Sequence, residues 1–391
     1  MIIDQNSSIN IITGNNGSGK SSILAEISNE EFAVGQNVIC LSNTSTNKFP
    51  KRRSQRFHVL NQSSNTLNKA IKKVVISNGH DKIRTSHAHT FPRVLQYLEF
   101  EEQLTFKFTV FPYESFIRKF QSETYNNEWI RNDIEEITNN LNKLIKINDD
   151  INYQSDREIK SSHILYLEYS FTYEADKRIN TIHNILIELI LKHERLLKKH
   201  HLISDIEINF HRGHNIIPSS HLSSGEAGYI ATLAFILTHV SDSNTIIIDE
   251  PENSLHPRWQ KKYTSNLLDL LYYFNVRIIL ATHSPMIVIG AVEDNSSLRV
   301  FKSENSILYP LEGNETNIDE VMVDVFGVLT SRSRYFSYKI NEILNEFNNK
   351  TINLATAQQK LDKTLSLGPD ENQENIIKAA YKILDEMSKN A

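Results

Sequence analysis

The stretch Gly14-Asn15-Asn16-Gly17-Ser18-Gly19-Lys20-Ser21 fits the pattern G-x-x-x-x-G-K-[ST]. Glycines in such a turn let the backbone curl until successive N–H groups point inward at phosphate oxygens. A helix starting directly after the turn adds its partial positive charge. In that chemistry Lys20 reaches the β- and γ-phosphates of a nucleotide, Ser21 ligates Mg²⁺, and Ser22 lies beside them. A chance match arises in roughly one chain in a hundred of this length. A strand before the turn and a helix after it make chance a poorer explanation.

Three further groups of residues share this character. Ile246-Ile247-Ile248-Asp249-Glu250 is an apolar run ending in two acids. Asp249 is placed to hold Mg²⁺, and Glu250 could polarise an attacking water as general base. Taken alone, the pair reads equally as a strand capped by solvated acids. Leu222-Ser223-Ser224-Gly225-Glu226 stands at a loop-to-helix junction. Ser223 and Glu226 have the spacing of a capping box, which needs no ligand. The same helix start, with a small hydroxyl and Gly225, can also receive a γ-phosphate. Thr282-His283-Ser284-Pro285 ends another apolar run, and His283 there can donate to a phosphate oxygen.

The elements that must position these residues can be read from hydrophobic periodicity. Ile9–Thr13 and Asn37–Leu41 read as strands. Thr245–Asp249 and Val276–Ala281, the latter interrupted only by Arg277, are apolar without alternation, as in strands buried on both faces of a parallel sheet. Helices are expected from about Ser21, over Ser224–Val240 and over Arg258–Tyr273. The texture changes between about Phe91 and Leu202. Ile134, Ile137, Leu141 and Leu144 step at helical spacing, as do Ile179, Ile182, Leu186 and Leu189, with a strand-like stretch at Ile164–Thr172 between them. Two such short runs suit packed helices of one subdomain rather than a coiled coil. Alternation returns at Ile206–Phe210. The tail carries two helical patterns, around Ile340–Phe347 and Ile376–Met387, separated by Gly368-Pro369.

Composition sets limits on the rest. The chain has 391 residues, 39% hydrophobic and 23% charged, with a formal net charge of −5. That is enough apolar material for a core, and it gives no strong positive field for nucleic acid or acidic lipid. The single cysteine, Cys40, excludes a disulfide framework and Cys-rich metal sites, and it sits in an expected strand. His87-x-His89 and His211-x-x-His214 lack further ligands at metal-site spacing. Two basic clusters, Lys51–Arg56 and Lys192–His201, read first as solvated faces and second as partner or nucleic-acid contacts. No run approaches the ~20 apolar residues of a membrane span. The start, Met1-Ile2-Ile3-Asp4, lacks the basic and apolar regions of a signal peptide. A cytoplasmic protein with no membrane partner is expected.

The order of these motifs resembles the ABC-type ATPase heads: glycine turn, Leu-Ser-Ser-Gly-Glu, Ile-Ile-Ile-Asp-Glu-Pro, then Asn253-Ser254-Leu255-His256 and Ala281-Thr282-His283-Ser284. Asp249–Pro257 looks most like the SMC/RecF-like branch. Within it, the chain is similar to the OLD-type and Septu or retron-associated ATPases of bacterial anti-phage systems. The stretch Cys40-Leu41-Ser42-Asn43, with Lys48-Phe49-Pro50, adds to that likeness. The resemblance implies an α/β P-loop NTPase fold with a mainly parallel sheet, a helical insertion and a helical tail. Its divisions would fall at 1–90, 91–205, 206–312 and 313–391. It implies ATP and Mg²⁺ as cofactors, and a homodimer or higher oligomer that sandwiches two nucleotides. Gly14, Asn15, Asn16, Gly17, Ser18, Gly19, Lys20, Ser21, Ser22, Asp249, Glu250 and His283 would act in cis. Ser223 and Gly225, with Asn253 and Ser254, would act in trans. Ala227 stands where many relatives place glutamine, and Gln36, Gln55 and Gln62 compete for the Q-loop position.

Lys20 and Ser223 are 203 residues apart, more than in a transporter module and far fewer than SMC arms require. The implied activity is ATP hydrolysis by a sensor or regulatory subunit of a defence system, acting with a separately encoded effector such as a nuclease. No nuclease motif of the chain's own follows His283. The alternative is a RecF-like repair ATPase that switches DNA binding, and a scaffold that holds nucleotide without turnover comes third.

Overall fold

The computed structural model describes residues 9–44, 47–61, 66–78, 90–112, 128–150, 162–171, 178–294, 298–311, 321–327, 329 and 334–389. Along the chain the elements are β1 (Ile9–Thr13), α1 (Lys20–Ala33), β2 (Asn37–Ser42), β3 (Phe57–Asn61), α2 (Thr66–Asn78), α3 (Phe91–Tyr97), β4 (Gln103–Val110), α4 (Glu128–Asp150), β5 (His163–Ser170), α5 (Arg178–Lys199), β6 (Glu207–Arg212) and β7 (Asn215–Pro218). There follow α6 (Ser224–His239), β8 (Asn244–Asp249), α7 (Pro257–Lys261), α8 (Tyr263–Leu270), β9 (Val276–Ala281), α9 (Pro285–Asp294), β10 (Leu298–Glu304), β11 (Ile307–Pro310), α10 (Arg334–Asn348), α11 (Leu354–Leu365) and α12 (Glu371–Lys389).

Contacts divide the chain into two units. One comprises Met1–Arg56, Thr245–Asp269 and Asn275–Ala391, the other Phe57–Asn244 and Leu270–Phe274. The division does not fall at the expected 90/91, 205/206 and 312/313 boundaries. Helix α2 packs on α5 and α6, and α3 packs on α6, so α2 and α6 share a unit with α5.

In the first unit, strands lie in the order β11-β10-β1-β9-β8-β2. β1 runs parallel to both β10 and β9, and β11 closes an antiparallel hairpin on β10. Every residue of β1 and β8 is buried. This is why neither shows the regular alternation of a half-buried strand. Inserting β9 between β1 and β8 brings three strand ends level. Thr282 N–H donates to Ile12 O at 3.0 Å, and Glu250 N–H donates to Ala281 O at 2.9 Å. The turns after β1, β8 and β9 therefore emerge at one edge of the sheet. The expected helix over Arg258–Tyr273 is instead two helices, α7 and α8, broken at Lys262, whose N–H bonds back to Gln260 O. The tail forms a three-helix layer of α10, α11 and α12 around Phe336, Ile340, Ala357, Leu361, Ile377 and Leu384. Its middle helix escaped the sequence reading because its apolar positions are few.

The second unit is built on an antiparallel sheet in the order β5-β4-β6-β7. The insertion is therefore not only helical: β4 and β5 pair along eight residues. Helix α5 packs on β5 and on α4. Ile182, expected on its buried stripe, is 50% exposed, whereas Leu186, Ile187, Ile190 and Leu191 are buried. This helix is apolar on more than one side, and its neighbours select the buried face. Lys192 and His193 bond Asp133, and Lys198 bridges Glu194 and Asp205. The basic end of α5 thus serves in part to tie this unit together.

Candidate functional site

The glycine turn owes its shape to left-handed backbone. Gly14, Gly17 and Gly19 have φ of +147°, +80° and +96°. A Cβ on Gly14 would lie 2.6 Å from Ser303 O, and one on Gly19 would overlap Ser306. Only glycine fits at either place. Helix α1 starts at Lys20 with no side-chain cap and no acid in its first turn. Its leading N–H groups are thus left for an anion. The β10–β11 hairpin braces the turn from behind. Ser303 Oγ and Ser306 N–H both donate to Ser18 O at 2.9 Å.

Lys20 is buried and folds over its own turn, its Nζ donating to Gly14 O at 2.9 Å and Asn15 O at 3.2 Å. Burial pulls its pKa down, opposed by the charges of Glu250, Asp249 and Glu252. Asp249 is buried at the end of β8. Burial pushes its carboxyl up, and a hydrogen bond from the Ser21 hydroxyl, with Lys20 and Lys48 nearby, works against that. Its Oδ1 is buried with no partner among the described residues, as is Ser18 Oγ.

These groups suit a nucleotide–Mg²⁺ pair. A buried carboxylate oxygen without a donor is costly unless a cation or water completes it. Mg²⁺ is commonly held by one or two protein oxygens together with substrate phosphates and water. Among the described residues no group of three or more His, Cys, Asp or Glu is placed to hold a metal ion, so no metal cage built from protein alone is found there. Ser21 and Asp249 would hold the ion, which when bound supplies neutralisation of phosphate charge.

Glu250 stands directly after Asp249 with φ +51°, a left-handed conformation that L-residues rarely adopt. Asn253 Nδ2 donates to Glu250 Oε2 at 3.0 Å, and His283 Nε2 lies 3.5 Å from Oε1. The carboxylate is thus held between an amide and an imidazole. Burial and the nearby Lys20 keep His283 below its ordinary pKa, against the pull of Glu250. His283 N–H in turn donates to Glu252, a buried acid whose pKa is raised by burial. Asn253, which resemblance assigned to a trans role, bonds Glu250 and Asn43 O within the same chain.

Some site residues escaped the sequence reading. Asn43 follows β2, its N–H bonding Asp249 O and its amide bonding Pro251 O. Lys48 Nζ reaches Ser22 Oγ at 3.0 Å. A usable signal existed for Asn43: like Gly14, Asp249 and His283, it is a polar or small residue just after a buried strand. Arg52 and Arg56 of the neighbouring basic cluster lie over the Phe32 ring, at 4.9 and 5.0 Å.

Ser223 and Gly225 belong to the second unit. Ser223 caps α6 in a complete capping box with Glu226. Ser223 is exposed and Gly225 buried. His211 bonds Thr105 Oγ1 at 2.8 Å. His87 and His89 lie outside the described residues.

A strand, a glycine turn, a lysine-headed helix and an acid-tipped strand one place removed in the sheet define a P-loop NTPase fold. Residues 123–289 match the family described as "AAA domain, putative AbiEii toxin, Type IV TA system". That segment holds Ser223, Asp249 and His283. Over 189 residues the chain is 28% identical to Protein ea59 of Escherichia phage lambda, covering 46% of this chain and 36% of that one. The chain therefore spans about a third of that relative's length. Among solved structures, UvrA2 from Deinococcus radiodurans is similar over 83% of this chain and 37% of its own, with 14% identity and a TM-score of 0.31.

Proposed function

We propose that this chain is an ATP hydrolase in which two copies sandwich two nucleotides, and that it is the regulatory subunit of a defence system acting on a separate effector such as a nuclease. The observation that carries the hydrolase reading is the convergence of Lys20, Ser21, Asp249, Glu250 and His283 at one sheet edge. Lys20 exchanges its bonds to Gly14 O and Asn15 O for bonds to phosphate. Ser21 and Asp249 hold Mg²⁺. Glu250 orients the attacking water and takes its proton, steadied by Asn253, while His283 contacts the phosphate that leaves. Ser223 and Gly225 of the second copy complete the γ-phosphate shell, so hydrolysis requires association. The defence reading draws on the motif resemblance and on the toxin–antitoxin wording of the matching family's description.

A turnover assay on the purified chain with Mg²⁺ and ATP tests the hydrolase reading. Lys20→Ala should lose tight ATP binding by calorimetry and lose turnover, because phosphate charge is left uncompensated. A Lys20→Ala protein that binds and hydrolyses ATP as the wild type does would refute it.

A further inference from the structure

The capping box of α6 is tied to a third residue. Ser223 Oγ donates to Glu226 Oε2 at 2.8 Å, Ser223 N–H donates to the same oxygen at 2.9 Å, and Glu226 N–H returns a bond to Ser223 Oγ at 3.2 Å. The other carboxylate oxygen, Oε1, accepts from Arg212 at 2.6 Å. Arg212 ends β6, and its guanidinium lies 4.0 Å over the Phe100 ring and also donates to Leu98 O at 3.0 Å. Its Nε is buried with no acceptor among the described residues. Burial would raise Glu226, but Arg212 and Ser223 outweigh it and hold the carboxyl below its ordinary value.

This arrangement sets an electrostatic problem for a helix start that is to receive a phosphate. The N-terminus of α6 attracts an anion, but Glu226, ionised and in the first turn, repels one. It also takes the Ser223 hydroxyl proton that a phosphate oxygen would need.

We propose that Arg212 is a positioning residue that neutralises Glu226 and holds it back, so that Ser223 can turn its hydroxyl to the γ-phosphate carried by a second copy of the chain. Arg212 itself touches no nucleotide. The stack on Phe100 and the bond to Leu98 O fix the guanidinium on the far side of the carboxylate, which keeps the pair in place while Ser223 changes partner. The inference rests on the ATP-sandwich reading above.

The test compares four variants of the full chain by steady-state ATP turnover, with a non-hydrolysable ATP analogue as the binding probe at concentrations where the protein is monomeric. Arg212→Met should lower kcat by about 10- to 100-fold, as expected for an uncompensated like charge near phosphate. Its monomer affinity for the analogue should stay at the wild-type value, because the glycine turn is untouched. Adding Glu226→Gln to Arg212→Met should restore kcat to within about threefold of wild type, since glutamine keeps the capping box without the charge. Arg212→Lys should lose less kcat than Arg212→Met, because it keeps the charge but not the planar stack on Phe100.

A purely packing role for Arg212 gives the opposite pattern: the double variant is as slow as Arg212→Met, and that result overturns the inference. Wild-type kcat in Arg212→Met overturns it too. Should Arg212→Met fail to fold, Arg212→Gln takes its place alone and together with Glu226→Gln, and a double variant as slow as the single one counts against the charge role. Lys20→Ala is the fourth variant and separates the two readings. If it hydrolyses ATP normally, the ATPase reading fails. If it is dead while Arg212→Met is normal, only the role of Arg212 fails.

Discussion

Glu250 is the residue on which the hydrolase reading turns. Its left-handed backbone costs on the order of 1–3 kcal/mol, and that conformation presents its carboxylate to Asn253 and His283. A solvated strand cap would need neither. Glu250→Gln keeps size and hydrogen bonding while removing the charge that accepts the proton of water. Turnover should fall by ~10²–10⁴-fold, with ATP binding retained through Lys20, Ser21 and Asp249. Single-turnover kinetics beside calorimetry check this; wild-type turnover in the variant would mean that another base is used. Glu252 is a second carboxylate beside His283, but it already accepts the His283 N–H and is largely enclosed.

At the scale of elements, the site depends on close approaches that leave no room for side chains. The β10–β11 hairpin reaches the glycine turn through Ser303, Ser306 and Ser18, so Gly14 and Gly19 answer to a strand nearly 300 residues away in sequence. A second close approach supports α9, the helix directly after His283. A Cβ added to Gly290 would overlap the Lys261 carbonyl at the end of α7. Gly290→Ala gains helix propensity in isolation but overpacks this contact. The expected net effect is destabilisation by about 1–3 kcal/mol, read as a lower Tm in thermal unfolding. An unchanged Tm would mean that α7 shifts freely. Ser284 Oγ also bonds Gln260 at 2.6 Å, so movement of α7 should reach the His283 loop and lower turnover as well.

For the whole molecule the prediction concerns association. If the γ-phosphate shell is completed by a second copy, the Glu250→Gln protein should accumulate as an ATP-dependent dimer in light scattering. Ser223→Arg should abolish that dimer, because the larger cation fills the receptor beside Gly225, while monomer binding of ATP persists. A dimer that forms equally well with Ser223→Arg would leave the capping box as the full account of Ser223. No helix among the described residues is long and apolar enough to cross a membrane.

Strands β1, β2, β8 and β9 and the motifs at their ends were legible in the sequence because they are governed locally. Ile9–Thr13 and Val276–Ala281 appear as read, since strands mostly buried on both faces lack the polar alternation of a half-buried strand. The glycine turn, Asp249, Glu250 and His283 were legible because each stands at the end of such a strand. What tertiary contact alone settled is which faces and which partners were chosen. Helix α5 has apolar residues on several sides, and its packing on β5 and α4 buries Ile187 and Ile190 rather than Ile182. The strands β4, β10 and β11 carry short or mixed patterns that become ladders only beside their neighbours. The pairings of Arg212 with Glu226 and of Ser303 with Ser18 join residues 14 and 285 positions apart. A hydrogen bond between residues distant in sequence depends on where the fold brings their atoms, and no local periodicity records it.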